Sequence, residues 1–395
     1  MNEFLLTIII PTKDRQSYAQ KAVQQILSID DQRIQVVIQD NSATDKLSSM
    51  LSIYKNDKRL KYNYQKGIIS FVDNFNLAVS LASGEYICII GDDDGLTPQI
   101  IEVTDWASRN NIDAIKPELS AVYFWPNSKA LNQMTDDGYM RIGKITGGIK
   151  EHDPSKEVIK LLNNGCQKYL SLNLVKLYHG LVKRSKLEII KEKTGKYFGG
   201  LSPDIYIAVA LSLTIDKVIE LDFPLTISGI CSVSGSAESA TGKHVGVLEE
   251  APHFRGHDAY KWSALVPKFY SVETIWADSA LAAICDLKKM ELLNEFNNAA
   301  LAVYCMKKYP KFKKIVRDHY KNQLIDYPRI QLVKAYFQHP ITDFIKRVYR
   351  KIKRKKNDHM RINGIENIIM ANEIIQERLI DIGFNMNKNL KTLKL

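Results

Sequence analysis

The 395-residue chain contains no uncharged apolar run of about 18 residues or more, the length a membrane-crossing helix requires. Cysteine is scarce: five residues, Cys88, Cys166, Cys231, Cys285 and Cys305, scattered, odd in number and without CxxC spacing. That usage excludes a disulfide framework and a zinc cluster and fits a reducing compartment. No GxGxxG follows the first apolar segment and no GxxxxGK[ST] occurs anywhere. The dinucleotide fingerprint and the P-loop are therefore both missing, and any diphosphate would be held through a metal rather than a glycine nest. No recognised nucleic-acid motif is present, and the start, MNEFLLTIIIPTKDR, lacks a basic leader and a small-residue cleavage site, so it reads as a first strand rather than a signal peptide.

What is present is a core-forming chain, 45% hydrophobic, with an uneven charge. Residues 1–250 hold 28 basic and 30 acidic side chains, against 27 and 14 in residues 251–395. The net +11 thus belongs to the C-terminal part. The first part is the place to look for chemistry, the second for a partner surface.

Residues 1–117 alternate strand-like and helix-like patterns. LLTIII is an apolar run of the kind buried in parallel sheets. Residues 16–28 carry Ala22, Val23, Ile26 and Leu27 on one helical face. IQVVIQ (34–39), LKYNY (60–64), YICII (86–90) and DAIKP (113–117) read as strands. Helices are expected from residue 46 to about Tyr54, over 70–82 with Ser70 as N-cap, and over 98–109 behind Pro98. Repeated β-α-β predicts an α/β fold, a mostly parallel sheet with helices on both faces. Further on, Tyr123, Phe124, Trp125 and Pro126 are expected in an excursion over the sheet rim, KLYHGLVK (176–183) as a strand carrying His179, and a helix from about Ser202. From about residue 270 the pattern is mainly helical.

Ligands of such sheets bind beyond the carboxyl ends of the strands. Three of those ends are chemically loaded: PTKD, DNSATD and GDDDG. The last places Asp92, Asp93 and Asp94 in succession after an apolar strand. Like charges repel, and a hard cation with oxygen preference relieves that repulsion while bridging to phosphates. A solvated acidic turn is the plain alternative. Asp40, at the second loaded end, has the chemistry to accept N–H and O–H bonds from a base or ribose.

The ordered set TIIIPTKDR, VVIQDNSATD and NFNLAVSLASGEYICIIGDDDGLTP resembles the inverting family-2 glycosyltransferases of GT-A fold. Asn76, Ala78, Ala82, Gly84, Glu85 and Tyr86 fill the third pattern in register. The resemblance covers residues 4–117 closely and reaches more loosely to about 235. It implies a GT-A-like, Rossmann-like sheet. It implies that Pro11, Thr12, Asp14, Asp40, Asn76 and Asp92 bind the nucleotide sugar and that Asp92, Asp93 and Asp94 hold Mn2+ or Mg2+. With Pro98 setting the register, the first Asp of the family's DxD falls on Gly91, leaving Asp93 as the foremost metal ligand. The acceptor base of the family lies at a helix start, where SPDIYIA puts Asp204. A helix N-terminus favours the ionised carboxylate that a base needs. His244, after a Ser/Gly/Ala/Thr-rich loop, occupies a place from which the family sometimes adds a metal ligand; a surface histidine is the alternative.

KRVYRKIKRKK (346–356) has eight basic residues and no acid. Phe337, Phe344, Ile345, Val348 and Ile352 run beside it as an apolar stripe. Segments of that kind lie on anionic membranes. The expected organisation is a transferase domain over 1–250, with a nucleotide-sugar half (1–117) and an acceptor half (118–250), then a helical basic region over 251–395. The expected activity moves a sugar from a nucleotide-diphosphate donor, UDP favoured, to a hydroxyl of a bacterial surface glycan or lipid-linked acceptor. The expected place is cytoplasmic, peripheral on the inner membrane face. A sugar nucleotidyltransferase and a non-catalytic membrane or nucleic-acid adaptor are the alternatives. The first lacks a phosphate loop near the first strand, and the second leaves three acidic strand ends unexplained.

Overall fold

The computed structural model describes residues 3–128, 137–232, 245–254, 260–323 and 360–391. Fifteen strands are present among them: β1 Phe4–Thr12, β2 Ile34–Asp40, β3 Leu60–Tyr64, β4 Gly84–Ile89, β5 Gly95–Leu96, β6 Ala114–Pro117, β7 Ala121–Phe124, β8 Tyr139–Ile142, β9 Ile149–His152, β10 Leu181–Lys183, β11 Val218–Leu221, β12 Thr226–Ile230, β13 Val245–Gly246, β14 Tyr270–Ser271 and β15 Met360–Asn363. The large sheet has eight strands in the order β3-β2-β1-β4-β10-β6-β11-β9. β3, β2, β1 and β4 run parallel to one another. β10 is antiparallel to both its neighbours and β9 is antiparallel to β11. The sheet is therefore mixed in its second half rather than parallel throughout.

The helices of the first 212 residues are α1 Gln16–Leu27, α2 Lys46–Met50, α3 Phe71–Ser80, α4 Gln99–Arg109, α5 Ser155–Asn163, α6 Arg184–Thr194 and α7 Pro203–Ser212. α2 ends early, and the chain continues as a short 3-10 turn over Ser52–Tyr54. Ser70 caps α3, its hydroxyl accepting from Asp73 N. Successive side chains of β1 point to opposite faces. Leu6, Ile8 and Ile10 enter one core with α1 and α4, and Ile9 enters the other with α3 and α7. A strand buried on both sides must be apolar at every position, which is why LLTIII shows no alternation.

A second sheet, β15-β8-β7-β12-β5, stands beside the strand ends. It corrects the expectation for Tyr123–Trp125. Tyr123 and Phe124 are buried in strand β7 and Trp125 follows directly, also buried, so the three belong to a packed sheet rather than to a loose excursion. KLYHGLVK is likewise only partly a strand. β10 starts at Leu181, while Tyr178 meets Ile89 in an isolated parallel bridge and His179 adopts φ +64°.

The chain beyond residue 250 is mainly helical among the described residues, yet it joins the first part rather than standing apart. β15 extends the second sheet by pairing with β8. Ile365, Ile368, Ala371, Ile375 and Leu379 share the core of β1, β2 and α1. The helix Val272–Asp286 buries Ala277, Ala280, Leu281 and Ile284 in the core that contains α7. The basic segment 337–356 and His244 lie outside the described residues.

Candidate active site

Register brings the loaded strand ends to one rim. Thr12 of β1 pairs with Asp40 of β2, which pairs with Tyr64 of β3. Ile9 pairs with Ile89, so the GDDDG turn leaves β4 on the same side. Beyond that end, Thr12 Oγ1 donates to Asp92 Oδ2 at 2.6 Å. The first and fourth strands are thereby joined through the acidic turn itself.

The three aspartates are buried and do different things. Asp94 takes backbone N–H bonds on both oxygens, from Gly91 to Oδ2 and from Gly229 to Oδ1, each at 2.6 Å. Tyr178 Oη also donates to its Oδ2 at 3.1 Å, and His179 Nε2 lies 3.4 Å from the same oxygen. Gly229 can approach this closely only because it has no side chain: a Cβ there would sit 1.8 Å from the Asp93 carbonyl. Asp94 is a strut that ties the turn to β12 and to the Tyr178–His179 corner.

Asp92 faces Thr12 and Arg15. Arg15 Nε donates to Oδ2 at 3.0 Å, and Nη2 stands 2.7 Å from Oδ1 as a charge contact. Asp93 is held less firmly. Its Oδ2 accepts from Cys231 N at 3.2 Å, while Oδ1 stands 3.6 Å from Arg15 Nη1. The Asp93 carbonyl accepts from Trp125 Nε1 at 2.8 Å, which fixes the backbone of the turn.

Burial pushes the Asp92 carboxyl up to about 7, against the opposing pull of Arg15, with Asp93 adding repulsion. Burial and then Asp94 raise Asp93 to about 6. Arg15 is raised as well. Burial would lower it, but Asp92 and Asp93 outweigh that and keep it firmly charged. A cluster of three carboxylates and one guanidinium retains excess negative charge, which suits a further cation. Among the described residues no three His, Cys, Asp or Glu side chains converge into a metal cage. Mg2+ and Mn2+ sites commonly need only one or two carboxylates plus substrate phosphates. Asp93 Oδ1, with its long contact to Arg15, and Asp92 Oδ1, which accepts no hydrogen bond among the described residues, fit that role.

Asp14 and Asp40 shape the neighbouring loops. Asp14 has φ +56°; its N–H donates to Ser42 Oγ and its Oδ1 accepts from Ala43 N, both at 2.8 Å. Asp40 is fully buried, Oδ1 accepting from Ser42 N and Oδ2 from Tyr62 Oη, both at 2.8 Å. Pro11 lies half-buried next to Thr12. These residues line one continuous edge with Asp92.

Asn76 is placed differently. Its Oδ1 accepts from Tyr197 N and Phe198 N at 2.9 and 3.0 Å, and its Nδ2 donates to Phe198 O at 3.0 Å. Its amide is spent on the segment that leads into α7. Its link to the rim runs through that segment.

Asp204 stands in the first turn of α7, partly exposed. No hydrogen bond to its carboxylate is present among the described residues, which leaves it open to a ligand. Burial raises it to about 6, and Lys176 alone pulls it back. Tyr178 lies within electrostatic reach of Asp94, Asp93 and Asp204. Lys176 Nζ rests 3.5 Å above the Tyr169 ring and is lowered to about 7, first by burial and then by Lys116.

Arg15 and Tyr178 were not singled out as contributors from the motifs; Trp125, expected over the rim, does reach its acidic turn, and His179 reaches it from outside any strand. Arg15 closes the quoted TIIIPTKDR, and its signal was in view. The others reach the turn from elements remote in sequence.

Residues 7–150 match Glycosyl transferase family 2. The chain is similar to the GalNAc(5)-diNAcBac-PP-undecaprenol beta-1,3-glucosyltransferase of Campylobacter jejuni, 32% identical over 96 residues, 23% of this chain and 30% of that one. It is 29% identical over 106 residues to an abequosyltransferase of Salmonella typhimurium, 25% of this chain and 31% of that one. An alignment with an uncharacterized glycosyltransferase of Rickettsia conorii covers 17% of that relative, so the chain spans less than a third of the length of these curated proteins. Among solved structures, S. aureus TarS 1–349 in complex with UDP-GlcNAc superposes with a TM-score of 0.43 at 12% identity, covering 82% of this chain and 93% of that one.

Proposed function

We propose, from the match of residues 7–150 to Glycosyl transferase family 2, that the chain is a metal-dependent inverting glycosyltransferase that uses a nucleotide-diphosphate sugar, UDP favoured, and glycosylates a hydroxyl of a bacterial surface glycan. The observation that carries the reading is the presence of two unlike carboxylate sites within electrostatic reach of Tyr178, which donates to the first. One is an acidic turn with excess negative charge; the other is Asp204, open and without a hydrogen-bond partner among the described residues.

The roles follow from chemistry. The rim from Pro11 to Asp40 receives the nucleoside, with Asp14 and Asp40 fixing the loops that shape it. Asp93 and Asp92 are the residues that would hold Mn2+ or Mg2+, which when bound neutralises charge developing on the leaving diphosphate. Asp204 takes the proton of the acceptor hydroxyl. The acceptor oxygen bonds to the anomeric carbon as the bond to the diphosphate oxygen breaks, the pair of electrons leaves with the nucleoside diphosphate, and configuration inverts. A pKa near 6 leaves Asp204 ionised at neutral pH and still basic enough to accept.

The acceptor class follows the matched relatives, one of whose names specifies an undecaprenol diphosphate-linked glycan. The basic, apolar-flanked sequence 337–356 supports attachment to anionic lipid. No helix among the described residues is long and apolar enough to cross a membrane.

Calorimetric titration of UDP and of GDP, each with Mn2+ and with EDTA, tests the reading. Metal-dependent UDP binding is expected. Metal-dependent GDP binding would keep the reaction and change the donor. Folded protein that binds neither nucleotide would overturn the proposal.

A further inference from the structure

We propose that Ser279, on the helix Val272–Asp286 and outside the family-2 segment, is a positioning residue that sets the place and basicity of Asp204. The inference builds on the transferase reading above.

The start of α7 is unusual in how it is fixed. Its N-cap residue Ser202 makes no side-chain capping bond, and Pro203 at the first helical position has no N–H to give. The chain is held from outside instead. Ser279 Oγ, fully buried, accepts from both Leu201 N at 3.0 Å and Ser202 N at 2.9 Å. One hydroxyl thus fixes two successive peptide groups immediately before the turn that carries Asp204.

The approach is built for this contact. Gly200 has φ +65°, and a Cβ there would lie 2.7 Å from Ser279 Cβ and 2.8 Å from its Oγ. Glycine is what permits the backbone to sit against the serine. From the other side, Asn76 Oδ1 accepts from Tyr197 N and Phe198 N. Residues 197–202 are therefore pinned at both ends, by α3 and by the Val272–Asp286 helix. A third tie, Tyr206 Oη to Asp286 Oδ2 at 2.7 Å, joins α7 itself to the Val272–Asp286 helix, the Tyr206 ring lying against Gly199.

A displacement of about 1 Å at a reacting group costs up to roughly 100-fold in rate. Asp204 has no hydrogen bond of its own among the described residues, so its position is inherited from the backbone that Ser279 holds. Its ionisation depends on how close it stays to Lys176 and to the helix N-terminus.

The test compares Ser279→Ala, Ser279→Cys and Tyr206→Phe in the full chain. It uses UDP release from a panel of UDP-sugars, calorimetric UDP affinity and hydrogen exchange over residues 199–206. In Ser279→Ala we expect faster exchange over 199–206, kcat lower by roughly 10–100-fold, a displaced acid limb of the pH profile and unchanged UDP affinity. Ser279→Cys, with its weak sulfur acceptor, falls between. Tyr206→Phe lowers thermal stability but keeps kcat and the acid limb. If Ser279→Ala and Tyr206→Phe lose stability alike and neither shifts kcat or the acid limb, Ser279 is merely structural and the inference fails. Should Ser279→Ala not fold, Ser279→Cys and Gly200→Ala are read in the same way, and wild-type kcat in both would overturn it. A folded wild-type chain that binds UDP but releases it from no UDP-sugar would sink the transferase reading itself, whatever the exchange shows.

Discussion

Arg15 meets Asp92 at two points, Nε to Oδ2 at 3.0 Å and Nη2 to Oδ1 at 2.7 Å, inside a turn that holds two further carboxylates. This guanidinium is the nearest internal counter-charge of the acidic cluster. Removing one partner of a buried ion pair leaves a charge without compensation, at a cost of about 3 kcal/mol or more. Arg15→Gln is expected to lower the melting temperature accordingly. Millimolar Mn2+ should restore more of that loss than it adds to the wild type, because the freed carboxylates then bind the ion. Thermal melts of both proteins with and without Mn2+ decide the matter; equal metal responses would show that Arg15 does not screen the site.

Asp93 offers an oxygen, Oδ1, whose contact with Arg15 is as long as 3.6 Å. Asp93→Asn keeps the Trp125 bond to its carbonyl and the shape of the side chain. UDP affinity in Mn2+ should fall by roughly 10-fold or more, while affinity in EDTA stays at the wild-type value. Parallel calorimetry separates the two conditions. An equal loss in both would mean that Asp93 acts on the nucleotide without an ion.

Asn76 makes the opposite prediction from the one its motif invites. Its amide serves Tyr197 N, Phe198 N and Phe198 O. Asn76→Ala leaves these groups unpaired, which costs about 2–3 kcal/mol. Denaturant melts should show that loss while calorimetry shows unchanged UDP affinity. A stable variant with weakened UDP binding would return Asn76 to the donor pocket.

The rim was legible because its signals are local. An apolar strand followed at once by Asp states both the element and the place of its end, as in Tyr86–Ile90 with Asp92–Asp94. The helix start at Ser202 and the Ser70 cap are equally local. What stayed hidden depends on contacts distant in sequence. Tyr178 reaches Asp94 across a separation of 84 residues. Tyr123 and Trp125 read as an open excursion because nothing nearby announces the second sheet, from which Trp125 reaches Asp93. His179 sat in an apolar run, yet its positive φ bends it out of any strand. Arg15 was visible as a residue, but its pairing with Asp92 exists only once β1 and β4 lie side by side.

Asp204 carries the pH dependence. Its carboxyl is raised from the usual value to about 6, chiefly by burial. A base works only when ionised, so kcat should climb with pH on an acid limb centred near 6 and level off above it. Asp204→Asn removes that limb together with most of the turnover, a loss of roughly 100-fold or more, and UDP affinity should not change. The stability effect has the reverse sign from that of a salt-bridged aspartate. The unfolded chain ionises Asp204 at a lower pH than the folded one does. Stability is therefore lost as pH rises from about 4 to about 6, and the cost stays constant above that. Asp204→Asn is expected to melt above the wild type at pH 8, with the gap narrowing at pH 5 and closing near pH 4. Melts across that range, set beside the pH–rate profile, check one pKa by two routes. A gap that widens toward low pH would mean that Asp204 is stabilised as a carboxylate and is not the raised base described here.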